Sequence, residues 1–180
     1  SWLGMYGFNN TYGLVVRTEI AEQYGLETYS DLAAVDDQLT FGAEYDFFER
    51  EDGYDALCET YGLYFGSTMD LDIGLKYQAL SQGEIDVMVI FTTDGQLSTA
   101  DAVVIEDDKG FFPSYLCGNV VRNEVLSEHP ELEEIFAKLT GTITDADMAA
   151  MNYAVEAEGA EPRDLAMDFL RERGLLNEEE

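Results

Sequence analysis

The sequence has 180 residues, 46% hydrophobic and 12% aromatic, so it can bury a sizeable core and is not a disordered acidic tail. It carries 38 acidic and 9 basic side chains, which gives a formal net charge of -29. Such a surface repels phosphate backbones and anionic lipid, which argues against nucleic-acid binding and membrane docking. A solvated acidic surface is the simplest interpretation, and adaptation to high salt is the alternative.

The longest apolar run, residues 87–91, is too short to cross a bilayer. The chain does not open with a charged segment followed by an apolar one, so we expect no signal peptide within these residues. The two cysteines, Cys58 and Cys117, are far apart and have apolar neighbours. Free thiols are therefore expected rather than a disulfide framework or a metal site.

The predicted elements alternate between strands and helices over the first two thirds of the chain, which is typical of an α/β fold with mostly parallel strands. From Pro130 onward the pattern is helical, and these helices are expected to cover a sheet. In chain order the pattern predicts a strand at residues 12–16, a helix at 18–24 ended by Gly25, a short helix from Ser30, a strand at 39–43, helices at 45–50, 53–61 and 72–82, and strands at 85–91, 102–105 and 118–122.

Catalytic chemistry has little support in the sequence. His129 is the single histidine, which excludes zinc sites built from several histidines. Phosphate-binding loops and dinucleotide fingerprints are absent, and the acidic clusters lack the spacing of a calcium loop. An enzyme that uses Cys117 and His129 is the alternative, but nothing orients that pair. We expect no enzymatic activity, no cofactor and no metal.

Aromatic residues stand at loop-like positions. Phe91 ends a predicted strand, where ligands of open α/β sheets bind, while Tyr12 begins one and Tyr115 follows a Phe-Phe-Pro-Ser run. Aromatic faces gathered in one pocket bind quaternary ammonium groups, because the ring quadrupole attracts a cation. Each aromatic residue taken alone is more often part of a core. The residues alone therefore indicate a ligand-binding α/β protein, with weak support for a cationic ligand.

An ordered set of short sequence strings carries a family resemblance. Together the strings resemble the binding proteins for glycine betaine, choline and carnitine, which serve ABC importers of osmoprotectants. The resemblance runs from about Tyr6 to Leu176. The strings are residues 6–13 (YGFNNTYG), 48–54 (FEREDGY), 72–80 (DIGLKYQAL), 91–95 (FTTDG), 106–113 (EDDKGFFP), 129–133 (HPELE), 151–153 (MNY) and 169–175 (FLRERGL).

The resemblance implies a two-lobed fold of the type II periplasmic-binding-protein kind, with the ligand in a cleft and hinge closure around it. Residues 1–11 would be a lead-in and hinge, residues 12–91 a complete second lobe, and residues 92–180 the C-terminal part of the first lobe with a helical tail. The N-terminal part of the first lobe would be lacking. The protein would be extracytoplasmic (periplasmic, lipid-anchored or fused to a permease), and its partner would be a membrane permease.

The resemblance also implies an aromatic cage. Tyr12 and Tyr115 look like two of its walls, and Phe91 falls where the family commonly has a tyrosine. Phenylalanine keeps the π face of that wall and loses the hydroxyl group.

The same resemblance implies polar ligand contacts. Arg50 looks like the residue that pairs with a betaine carboxylate or closes the lobes, since its forked guanidinium suits a carboxylate. Asn10 stands where a further polar contact is expected, and Thr92 belongs to the same predicted set.

Two alternatives stay open at this point. The same fold could bind another betaine such as ergothioneine, for which the loss of the hydroxyl at Phe91 leaves room. The chain could also be a sensory or structural relative that does not transport. An incomplete first lobe would expose a sheet edge, and such an edge allows pairing with a second copy of the chain.

Overall fold

The computed structural model describes residues 1–176. The strands are β1 (Trp2–Asn9), β2 (Tyr12–Arg17), β3 (Thr40–Ala43), β4 (Ser67–Asp70), β5 (Val87–Phe91), β6 (Ala102–Ile105) and β7 (Leu116–Val120). The helices are α1 (Thr18–Tyr24), α2 (Tyr29–Leu32), α3 (Tyr45–Glu49), α4 (Tyr54–Tyr61), α5 (Lys76–Gln82), α6 (Asn123–Glu128), α7 (Glu131–Ala137), α8 (Asp145–Glu156) and α9 (Pro162–Glu172).

The chain divides into two compact units, which we call the sheet unit and the helical unit. The sheet unit comprises Tyr12–Phe91 and Thr99–Pro113. The helical unit comprises Ser1–Thr11, Thr92–Ser98 and the chain from Ser114 onward. This division differs from the expected segments in two respects. Residues 99–113 lie with the sheet unit, because β6 pairs with β2 there. Residues 1–11 are part of the helical unit and contain β1, where a lead-in and hinge was expected.

The sheet unit is built on a five-stranded sheet with the order β4-β3-β5-β2-β6. Strand β3 runs parallel to both β4 and β5, whereas β2 runs antiparallel to both β5 and β6. Strands β3, β4, β5 and β6 therefore run in the same direction, as expected for a sheet of mostly parallel strands. The exception is β2, which lies between β5 and β6 and runs in the opposite direction.

The core of the sheet unit forms because β2 and β5 are continuous apolar runs that bury both of their faces. Phe41 of β3 and Leu57 of α4 are fully buried in the same cluster. Helices α1, α4 and α5 end where the sequence predicts, since each is followed by a glycine with left-handed backbone angles. These glycines are Gly25, Gly62 and Gly83.

The helical unit contains a two-stranded antiparallel ribbon of β1 and β7, on which α7 and α8 pack. Strand β1 approaches its neighbours closely: a Cβ atom at Gly4 would lie 2.6 Å from the carbonyl oxygen of Phe136, and one at Gly7 would lie 2.7 Å from that of Ile143. Both glycines have positive φ angles. Glycine is required at these two positions, and the register of the ribbon is irregular beside Gly4 and Gly7.

Several elements differ from the sequence-based expectation. The helix predicted at residues 72–82 begins only at Lys76, because residues 73–75 form a turn that contains Gly74. Strand β1 occupies residues predicted to be a lead-in, and strand β4 and helix α6 were not predicted. Cys58 and Cys117 are free thiols, and burial raises the pKa of the Cys58 thiol.

Candidate ligand-binding site

Tyr12 and Phe91 lie directly opposite each other in the sheet unit. Because β2 is antiparallel to β5, the first residue of β2 pairs with the last residue of β5. The two ring centroids are 4.8 Å apart with an interplanar angle of 35°. The antiparallel pairing explains how a residue at the start of one strand reaches a residue at the end of another.

Two further rings extend this pair. Phe47 of α3 and Phe112, in the loop after β6, have ring centroids 5.6 and 5.5 Å from that of Tyr12. We refer to Tyr12, Phe47, Phe91 and Phe112 as the ring cluster. Phe47 is buried, while the other three rings are half-buried. Half-buried rings keep part of their surface available to a ligand, and the buried ring supports them from below.

Asp107 holds the loop that carries Phe112. Its carboxylate accepts backbone N–H groups from Phe111 and Phe112, both at 2.9 Å, and also accepts the hydroxyl of Tyr61. Burial raises the pKa of Tyr61, and the hydrogen bond to Asp107 raises it further. Sequence analysis missed Phe112 and Asp107, although an aspartate shortly before a Phe-Phe-Pro run is consistent with a turn that fixes those rings.

Arg50 lies at the edge of the ring cluster. Its guanidinium carbon is 5.7 Å from the centroid of the Tyr12 ring. Its Nε and Nη2 atoms donate to the two carboxylate oxygens of Asp52 at 2.8 and 2.7 Å. These hydrogen bonds lower the pKa of the Asp52 carboxyl. The sheet unit therefore brings together three of the six predicted site residues, namely Tyr12, Arg50 and Phe91.

Lys76 places a buried positive charge beside the ring cluster. Its side chain is 1% exposed, its Nζ atom is 2.7 Å from Oε1 of Glu44, and it donates to the carbonyl oxygen of Val89. The same Nζ atom is 5.4 Å from the centroid of Phe91. Sequence analysis missed Lys76. The available signal is its spacing from Ala79 and Leu80, which puts it on the buried face of α5.

The other three predicted residues, Asn10, Thr92 and Tyr115, lie in the helical unit. The backbone N–H of Asn10 donates to the carbonyl oxygen of Tyr115 at 3.2 Å. The side-chain oxygen of Asn10 accepts the hydroxyl of Thr93 at 2.7 Å. The Thr92 hydroxyl donates to the carbonyl oxygen of Asn9 at 2.7 Å, so it helps to fix the backbone.

A cavity of about 570 Å³ in the helical unit is lined in part by Asn10, Thr93, Tyr115 and Trp2. Tyr115 is 38% exposed. Aromatic walls with a few convergent polar groups are typical of small-molecule sites. Within residues 1–176, no cluster of histidine, cysteine, aspartate and glutamate side chains is suited to hold a metal ion. No helix in the same range is long and apolar enough to cross a membrane.

Comparison with known proteins identifies the family. Residues 1–172 match the model for the substrate-binding domain of ABC-type glycine betaine transport systems. The chain is 44% identical over 174 residues to the ergothioneine transport permease/ergothioneine binding protein EgtU of Helicobacter pylori, covering 97% of this chain and 32% of that protein. It is 38% identical over 177 residues to the carnitine transport binding protein OpuCC of Listeria monocytogenes, covering 98% of this chain and 58% of that protein.

A solved glycine betaine/carnitine/choline ABC transporter structure superposes with a TM-score of 0.86 at 39% identity, covering 98% of this chain and 65% of that one. The chain thus spans 32% to 65% of the length of these relatives. The solved structures that resemble this chain confirm the predicted α/β fold of the type II periplasmic-binding-protein kind. The chain belongs to the family of substrate-binding domains of ABC-type glycine betaine transport systems.

Proposed function

We propose that this chain is the solute-binding part of an ABC importer that captures a quaternary ammonium compound bearing a carboxylate, such as glycine betaine or carnitine, or the related cation choline. The observation that supports this proposal is the ring cluster with a guanidinium 5.7 Å from the Tyr12 ring, in a member of this family. Binding and release are the whole function, with no catalytic step.

The chemistry of the ligand matches these groups. A quaternary ammonium group has no N–H donor, so a protein holds it by the negative faces of aromatic rings. Tyr12 and Phe91 supply such faces in the sheet unit. A ligand carboxylate suits the guanidinium of Arg50. We propose Asn10, Thr92 and Tyr115 as further ligand contacts, each presented by the helical unit.

Ergothioneine is the second candidate ligand. It is a betaine of a thiolated histidine, so it offers the same trimethylammonium and carboxylate groups. Two observations favour it: the 44% identity to a protein named for ergothioneine binding, and the phenylalanine at position 91. A ring without a hydroxyl group suits an apolar, polarisable ligand surface better than a ligand that requires a hydrogen bond there.

The proposed partner of the protein is a membrane permease, and the proposed location is extracytoplasmic. The name of the Helicobacter pylori relative combines a permease and a binding protein. This supports fusion to a permease as one possible arrangement, and a separate receptor is the other. Pairing of two copies through the incomplete first lobe stays a prediction. Sedimentation at several concentrations tests it, and a single monomeric species throughout would exclude it.

Calorimetric titration of glycine betaine, choline, carnitine and ergothioneine into the protein tests the proposed ligand class. We expect heat of binding from at least one of them and its loss in Y12A, because that substitution removes the central ring of the cluster. Y64A is the matched control, since Tyr64 is 80% exposed on the same unit. Unchanged affinity in Y12A, or no heat from any of the four compounds, would contradict the proposal.

A further inference from the structure

The turn that presents Arg50 also presents an acidic side chain to it. The backbone N–H of Gly53 donates to the carbonyl oxygen of Arg50 at 3.1 Å, which closes a tight turn over residues 50–53. Glycine is required at its end, because a Cβ atom there would lie 2.0 Å from the carbonyl oxygen of Phe47. The turn fixes Arg50 and Asp52, two residues apart, within reach of each other.

Asp52 occupies the guanidinium in the manner of a bound carboxylate ligand. The two N–H···O contacts, at 2.8 and 2.7 Å, run from Nε and Nη2 of Arg50 to separate oxygens of the carboxylate. This forked arrangement is the one in which arginine recognises carboxylates in general. The same guanidinium lies 5.7 Å from the Tyr12 ring, so the charge that Asp52 neutralises is the positive charge at the edge of the ring cluster.

We propose that Asp52 is a specificity-determining residue, an internal carboxylate that competes with the ligand carboxylate for Arg50. The inference rests on the proposed function and deepens it. The carboxylate of a betaine must either displace Asp52 from Nε and Nη2 of Arg50, or bind to the remaining N–H groups of Arg50 and be repelled by the nearby Asp52 carboxylate. Choline has no carboxylate, and it benefits from Asp52 because a neutralised Arg50 repels its cation less. Asp52 therefore weakens the preference for betaines over choline.

The size of the effect follows from exposure. The side chains of Arg50 and Asp52 are 39% and 58% exposed, so water screens the pair and its exchange for a ligand costs little. Removing the charge of Asp52 is therefore expected to shift the ratio of the choline and glycine betaine dissociation constants by up to about fivefold in favour of glycine betaine.

Titration of glycine betaine and choline into wild type, D52N, D52A and E51Q tests the inference. E51Q removes the same charge from the neighbouring position of the turn and controls for the overall field. We expect D52N and D52A to bind glycine betaine more tightly and choline no more tightly than wild type, while E51Q leaves the ratio of the two affinities unchanged.

The possible outcomes separate the two claims. A purely structural role of Asp52 would weaken both ligands in parallel and leave their ratio unchanged, which would overturn the inference. An equal shift of the ratio in E51Q would do the same, since it would attribute the effect to net charge. Absence of binding of glycine betaine and choline to every form, wild type included, would overturn the inference, and the proposed function would be overturned as well if carnitine and ergothioneine also failed to bind.

Discussion

The sheet unit and the helical unit bury their apolar side chains to different extents. In the sheet unit, strands β2, β3 and β5 are buried almost throughout. In the described part of the helical unit the buried apolar side chains are Phe8 and Leu126, and helices α7, α8 and α9 contain no buried residue. An apolar cavity of about 310 Å³ lies among the side chains of α8 and α9.

The difference in burial indicates how the candidate ligand contacts within each unit are held in place. The ring cluster stands on a packed core that belongs to its own unit, so its geometry is held by burial. Asn10 directly follows β1 and Tyr115 directly precedes β7, so both lie at one end of the two-stranded ribbon, and hydrogen bonds between neighbouring loops hold them there. Two-stranded ribbons are marginally stable by themselves, so the ribbon is expected to open more readily than the five-stranded sheet.

Amide hydrogen exchange gives the largest expected contrast. Amides of β5 are expected to exchange about a hundredfold more slowly than those of β1, because opening of the buried sheet requires unfolding of its core while opening of the ribbon does not. Exchange measured by mass spectrometry on peptides that cover the two strands checks this. Equal protection of β1 and β5 would show that the two units unfold together.

Replacement of the buried lysine is expected to have the next largest effect. K76M leaves the carboxylate of Glu44, whose side chain is 19% exposed, without its partner at 2.7 Å. We expect the free energy of unfolding of the sheet unit to fall by about 2 kcal/mol, since removal of one member of a buried pair leaves an uncompensated charge. Urea unfolding measures the change.

The matched control for K76M is K109M. Lys109 also lies over a ring, with Nζ 4.6 Å from the centroid of Tyr61, but it is exposed. Its replacement is expected to cost less than about 1 kcal/mol. The double variant with E44Q should recover much of the stability lost in K76M. If K76M were as mild as K109M, burial of the pair would have no energetic importance.

The smallest effect is expected from loss of a helix N-cap, and the same type of cap is present in both units. Thr28 and Asp31 form a capping box at α2, and Thr144 and Asp147 form the same box at α8. Loss of a threonine cap costs about 1 kcal/mol. T28A is expected to speed amide exchange in the sheet unit, whereas T144A should speed exchange in α8 and leave β5 unchanged. Faster exchange of the β5 amides in T144A would contradict this prediction.

These boxes also predict the response to acid. Backbone and side-chain hydrogen bonds lower the pKa of Asp31 and of Asp147 below the ordinary aspartate value. A carboxyl with a lower pKa in the folded state stabilises the fold above its unfolded pKa, and this stabilisation is lost as the pH falls through the folded pKa. D31N and D147N should each flatten the acid limb of the stability curve, measured by thermal unfolding at stepwise lower pH.

The sequence predicts those parts of the fold that depend on local signals. The apolar runs of β2 and β5 and the glycines after α1, α4 and α5 are such signals. Strand β1 was missed because Gly4 and Gly7 interrupt it, and β4 because most of its residues are exposed at the edge of the sheet. Neither strand shows the alternation or the apolar run that marks a strand in a sequence.

The site was only partly predictable for a related reason. The resemblance indicated Tyr12, Arg50 and Phe91, but their proximity depends on the antiparallel entry of β2, which no local pattern reveals. Three residues in or beside the ring cluster were not predicted. Lys76 and Phe112 contact residues that are distant in sequence, Glu44 and Tyr12. Asp52 reaches Arg50 because of the shape of a turn. Such relations arise from tertiary packing, and the type and spacing of residues carry little trace of them.

The buried pair of Lys76 and Glu44 has a consequence for a protein with a net charge of -29. In molar salt the Debye length falls to about 3 Å, so repulsion among the surface carboxylates almost vanishes. The ammonium group of Lys76 is 1% exposed, so counterions in molar salt screen the charge beside Phe91 much less than the charges on the surface. Repulsion among the surface carboxylates therefore depends strongly on ionic strength, whereas the electrostatic potential at the Phe91 ring depends on it only weakly.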